Sequence, residues 1–191
     1  MDIELKEIET EDGAINSYIY KGYKIEIFQD EDPEDPIKNW DMLGKFICWH
    51  KNYDLGNCTD FDTPEDVKSY AKKNKALIYP LYMYDHSGIG LSLSNDRYPF
   101  NCPWDSGQLG YVLVERKNAL EIVPGATKMS AKVKAKVYKV VSGEVETYNA
   151  YLSGDVYGYV VTKKEEETDI SSVWGYYGLD EALEAAKEEI G

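Results

Sequence analysis

Apolar and polar residues alternate through "SYIYKGYKIEIF", residues 17–28, on both sides of Lys21-Gly22, and this period of two predicts a β-hairpin. Tyr18, Tyr20, Tyr23, Ile25 and Ile27 are among its packing positions. "QDEDPEDPIKNWD" breaks the pattern with five acids between Asp30 and Asp35 and with Pro33 and Pro36, so it reads as an exposed loop. "LGKFICWH", residues 43–50, resumes as a strand that would put Cys48 and His50 on one face. "ALIYPLYMY" and "IGLSLS" read as strands flanking a turn at Asp85–Gly88, and "GYVLVER" as another strand after the "PWDSGQ" loop.

Three stretches read as helices. Thr63-Pro64-Glu65-Asp66 opens one with a threonine cap, proline in the first turn and two acids, and it runs to about Asn74. "SAKVKAKVYKVVSGEVETYNAYLSG" is ambiguous over its first half, where Ala131, Val133, Ala135 and Val137 alternate with lysines as a strand would. Over the longer window Val133, Val137, Val140, Val141, Val145, Tyr148 and Leu152 form one helical stripe that ends at Gly154, which predicts a helix. "VYGYVVT" and "ISSVWGYY" form a hairpin around the acidic "KKEEETD", and "LDEALEAAKEEI" is an amphipathic helix with Leu179, Ala182, Leu183, Ala186 and Ile190 inward. The sum is an α+β fold, a largely antiparallel sheet with about three helices, expected as a single domain over 1–191.

Composition narrows the function. Lys and Arg total 21 against 35 Asp and Glu, a formal net charge of −14, so direct nucleic-acid binding is disfavoured and a partner with a basic surface is favoured. The same acid excess also serves solubility alone. Seventeen tyrosines suit half-buried strands and binding surfaces. "MDIELKEIET" has neither a basic start nor an apolar core, and no apolar run approaches the roughly 20 residues of a membrane span, so a cytoplasmic protein that binds no membrane is expected. Three cysteines at irregular spacing suit reduced thiols.

Four arrangements carry possible chemistry. Cys48, His50, His86 and Cys102 have the ligand types of a zinc site, without the spacing of a known finger; packed thiols and hydrogen-bonded imidazoles are the plainer reading, and no cofactor is expected. Cys102 could act as a nucleophile with His86 as base, Asp85 or Asp105 as orienter and the Ser106-Gly107 backbone facing an oxyanion. Asp30, Asp32, Asp35 and Asp41, or Asp96 and Asp105, are oxygen ligands lacking the order of a calcium loop. The glycines of "HSGIG" and "DSGQLG" have no Lys or Arg beside them to meet a phosphate, and Arg97 and Arg116 are the only arginines. If the loops at 85–88 and 103–108 lie together, Asp85, His86, Ser87, Trp104, Asp105, Ser106 and Gln108 converge either as a small-ligand site or as a network that pins two turns.

"DPEDPIKNWDMLGKFICWHKNYDLGN", "PLYMYDHSGIGLS", "PFNCPWDSGQLGYVLV", "EVETYNAYLSGDVYGYVV" and "SVWGYYGLDEALEAA" together resemble a family of small acidic proteins encoded by bacteriophages and mobile elements, mostly of Gram-positive bacteria. The resemblance runs from about Asp30 onward; it implies a genomic setting and brings no chemistry of its own. By analogy with small acidic phage proteins, it implies an accessory protein of the host cytoplasm that acts by binding. The expected target is a host defence or nucleic-acid enzyme, met in the manner of an anti-restriction or anti-CRISPR protein. Asp30, Glu31, Asp32, Glu34 and Asp35 would then supply carboxylates where DNA phosphates sit. The alternative is binding of a nucleotide signal, or thiol-dependent hydrolysis, at the His86, Cys102 and Trp104 loops.

Overall fold

Turn chemistry and apolar spacing agree along most of the chain. The computed structural model describes residues 5–10, 13–86, 88–94, 98–102, 104–163 and 168–191. The elements are β1 (Lys6–Ile8), β2 (Asn16–Tyr20), β3 (Tyr23–Gln29), α1 (Pro36–Asn39), β4 (Lys45–Cys48), α2 (Pro64–Asn74) and β5 (Leu77–Asp85), followed by β6 (Ile89–Leu93), β7 (Ser106–Val114), α3 (Arg116–Glu121), α4 (Ala131–Ser153), β8 (Val156–Lys163), β9 (Thr168–Tyr177) and α5 (Leu179–Ile190). This is an α+β fold with antiparallel sheets. The three long helices stand where the pattern predicts them. Two short ones, α1 and α3, add to them; α1 is a single turn inside the acidic stretch, where the Asp35 carboxylate accepts from Ile37 N at 3.1 Å. Helix also wins over 131–153, because Val133, Val137, Val141, Val145 and Tyr148 are buried at helical spacing while Ala131 and Ala135, which a strand would bury, are exposed.

Contacts divide the chain into two compact units, residues 1–34 with 153–191 and residues 35–152. The first unit is a five-stranded sheet in the order β1-β2-β3-β8-β9. Lys21 and Gly22 both take positive φ, 50° and 84°, the turn that matches the twist of a two-residue hairpin. Ile25, Ile27, Tyr159 and Val161 of the central strands pack against Ala182, Leu183 and Ala186 of α5. Burial, then the bond with Tyr176, pushes the Tyr159 phenol up to about 12. On the opposite face the Trp174 indole lies over Gly158, where a side chain would meet the ring.

The second unit is a four-stranded sheet in the order β4-β7-β5-β6, covered on both faces. Phe46, Leu81 and Val112 pack on the α4 stripe, and Ile47, Tyr111 and Leu113 pack on Val67 of α2. Pro80 sits within β5 at no cost to the ladder. Its carbonyl accepts from Ser94 N at 3.1 Å, so its hydrogen-free nitrogen faces the same side, past the last paired residue of β6.

Both edges of this sheet are closed by asparagine side chains. At β4, Asn57 Oδ1 accepts from Phe46 N at 2.8 Å; at β6, Asn149 Oδ1 accepts from Leu91 N at 2.7 Å and Asn149 Nδ2 donates to Leu91 O at 2.8 Å. Asn149→Ala strips both partners from Leu91, and we expect a loss of about 1–3 kcal/mol in a urea unfolding titration. Glu144 of α4 holds the approach to β4 by accepting from Leu43 N at 2.6 Å and Gly44 N at 3.0 Å. Burial pushes its carboxyl up, and those two bonds offset part of the shift.

Candidate functional site

Two strands of unequal length create the site. β4 stops at Cys48, opposite Gly110, whereas β7 begins at Ser106, so residues 106–109 of β7 run on beyond the end of their neighbour. A cavity of about 300 Å³ lies at that end, lined by His50, Met83, Asp85, Trp104, Asp105, Ser106, Gly107, Gln108 and Leu109. The β5–β7 pairing sets Tyr84 opposite Ser106, and Asp85 N donates to Asp105 O at 2.8 Å. This pairing brings the 85–86 turn and the 104–106 segment together. A register shift after Leu81 leaves Leu109 without a partner in β5, though its carbonyl accepts from Trp49 N at 3.3 Å, and its side chain joins the α4 side of the core as one wall of the hollow.

The carboxylates organise the polar groups. Asp85 Oδ2 accepts from Tyr53 OH at 3.1 Å, and that bond pushes the Tyr53 phenol up. Asp105 Oδ2 accepts from Cys102 Sγ at 3.2 Å and lies 3.5 Å from His86 Nδ1. Ser106 Oγ donates to the Cys102 carbonyl and meets Tyr98 OH at 2.6 Å. Tyr98 and Phe100 extend an aromatic wall over Tyr82 and Tyr84. Trp104 is 92% exposed.

The structure therefore gathers Asp85, His86, Trp104, Asp105, Ser106 and Gln108, while Ser87 lies outside the described residues, as does Asp96. His50 joins them as a wall of the cavity, a position that period-two alternation does not supply because β4 has ended two residues earlier. Tyr53 also enters through its bond to Asp85; it stands in the irregular 49–62 loop, and no spacing rule points to it.

Nucleophilic use of Cys102 needs its thiol hydrogen delivered to an imidazole, with the carboxylate behind the ring. Here the order is different: Asp105 Oδ2 stands against both the sulfur and the imidazole. Ser106 and Gly107 stand in the β5–β7 ladder rather than on a turn whose amides converge.

The four zinc candidates separate into two pairs. Cys48 Sγ contacts the Tyr53 carbonyl at 3.9 Å and the His50 ring stacks on Tyr53 at 4.9 Å, while His86 and Cys102 meet at Asp105. Among the described residues no group of three or more His, Cys, Asp or Glu is placed to hold a metal ion.

Of the acidic stretch, Asp30, Glu31, Asp32 and Glu34 belong to the first unit and Asp35 to the second, where it caps α1. Asp30 Oδ1 accepts from Asp32 N at 3.1 Å, closing a local turn. A wider hollow of about 800 Å³ beside α3 presents Glu115, Arg116, Lys117 and Glu121, charges of both signs without convergence.

Compared with known proteins, the chain matches no family model, no curated protein and no solved structure. Among the described residues no helix is long and apolar enough to cross a membrane.

Proposed function

We propose that this chain acts by binding a protein with a basic surface and, in the setting its sequence blocks suggest, that it inhibits a host defence or nucleic-acid enzyme of the cell carrying a phage or mobile element. One observation carries the reading: the fully presented indole of Trp104 stands beside the Asp85 and Asp105 carboxylates in a hollow lined by no lysine or arginine among the described residues. A large aromatic left in water beside acids is the surface chemistry of a contact, because an indole covered on binding contributes far more than a scattered apolar residue. The net charge of −14 supports it by steering a basic partner inward and repelling polyanions that compete for the same partner surface.

The test is enzymatic. Purified restriction and CRISPR nucleases are assayed on their DNA substrates with and without the chain, and cells expressing the chain are challenged with phage those systems normally stop. We expect slower cleavage, restored phage growth, and a complex that weakens as salt rises from roughly 50 to 200 mM. Full nuclease activity and unchanged phage restriction across the panel would sink the reading.

A further inference from the structure

We infer that the hollow at the start of β7 takes the guanidinium of an arginine presented by the partner, an inference that rests on the binding role proposed above. Asp85 and Asp105 each engage Oδ2 with a neighbour, and among the described residues neither Oδ1 has a partner. Gln108 Nε2 donates to Gly110 O at 3.1 Å, which leaves its carbonyl oxygen as an acceptor and its second N–H as a donor. Ser106 Oγ is occupied by the Cys102 carbonyl and Tyr98 OH. His50 Nδ1 accepts from Asn52 N at 3.3 Å, so its other ring nitrogen carries an N–H, a donor on this wall beside the Trp104 indole N–H. Two of the open acceptors belong to carboxylates, and a ligand that satisfies them brings donors and positive charge.

Shape then selects among cations. An ammonium is a compact, strongly hydrated point charge, whereas a guanidinium is flat, weakly hydrated and carries five N–H donors in one plane. A flat cation can lay its face on an exposed indole while its edge donates to carboxylates, which joins the stacking of Trp104 to the acceptors of Asp85 and Asp105 in one ligand. A cavity of about 300 Å³ is large enough for the head of one such side chain. A second copy of the chain is a poor source: it has two arginines in 191 residues, and two bodies of charge −14 repel.

The experiment follows the Trp104 indole N–H in ¹⁵N-labelled protein during titration with N-acetyl-Gly-Arg-Gly-amide, its lysine counterpart and its citrulline counterpart, which keeps the shape of arginine without the charge. We expect the arginine peptide to move the Trp104 resonance and saturate at roughly millimolar concentration, as one side chain in a small site would. The lysine peptide should need about tenfold more, and citrulline should do nothing. In the Asp85→Asn/Asp105→Asn double variant and in Trp104→Ala, read at the Gly107 amide, binding should weaken by about tenfold or more, with Glu188→Gln/Glu189→Gln, exposed on α5, unchanged. Unfolding midpoints confirm that each variant is folded. Equal binding of arginine and citrulline, equal binding of arginine and lysine, or full arginine binding by the double variant would overturn the inference. Trp104→Ala that binds no arginine yet still inhibits a nuclease overturns it too and leaves the binding role standing. Arginine binding without inhibition of any nuclease supports the pocket and removes the host-enzyme reading.

Discussion

Gly110→Ala is expected to destabilise the second unit by about 3 kcal/mol or more, seen as a fall in urea midpoint at unchanged slope. A methyl group on Gly110 would fall on the Ile47 carbonyl of β4, and the atom in its way is backbone, which cannot swing aside as a side chain does. β4 must then retreat from β7. That movement damages both layers, because Phe46 faces α4 and Ile47 faces α2, at 0% and 1% exposure. Gly107→Ala in the same strand is the control. A methyl group there meets nothing within 4 Å, so its effect should stay within about 0.5 kcal/mol. Equal midpoints for the two variants would mean that β4 is not seated against Gly110.

Raising the pH should unfold the protein through its tyrosines. Tyr159 in the first unit and Tyr148 in the second are buried, at 2% and 1% exposure, and burial pushes both phenols above the ordinary tyrosine range. The unfolded chain loses these protons near the ordinary value of about 10, before the folded chain does. The stability they contribute is therefore whole below pH ~10 and is lost as pH rises, through about 12 for Tyr159. Tyrosinate absorbance and far-ultraviolet circular dichroism followed together should show a cooperative step in that window. Tyr159→Phe keeps the ring and removes the proton, so the loss of stability per pH unit should be shallower. A tyrosinate titration that completes with the dichroism unchanged would show both phenols to be accessible in the folded state.

Local chemistry was legible in the sequence where a few neighbouring residues decide the outcome. Thr63 and Asp66 form the reciprocal cap, with Thr63 N donating to Asp66 Oδ2 at 3.0 Å and Asp66 N donating to Thr63 Oγ1 at 3.3 Å. The α4 stripe emerged once the window exceeded the alternating lysines, since a helix face needs several turns to declare itself. Long-range pairing was less legible. β3 pairs with β8 from Tyr23↔Lys163 to Gln29↔Tyr157, and nothing within either segment names its partner. The candidate site shows both limits. The 85–86 and 104–106 residues declared themselves by composition, whereas His50 and Tyr53 enter only because β4 ends early and the following loop folds back.

The order of synthesis inherits the division of the chain. β3 emerges more than a hundred residues ahead of β8, and at the usual ribosomal speed of roughly 5–20 residues per second the interval is on the order of ten seconds. During that interval β1, β2 and β3 have neither β8 on the β3 edge nor α5 on their apolar face, and a sheet this small is marginal in water without such packing. Residues 35–152 are continuous in sequence, and the strands of their sheet and α2 emerge during that interval, with α4 completed only just before β8. The sheet that β2 and β3 begin is thus finished only after α4 has been made. Ile25 and Ile27 are fully buried only when β8 and then α5 arrive, so their apolar side chains stay in contact with water for the whole of that wait.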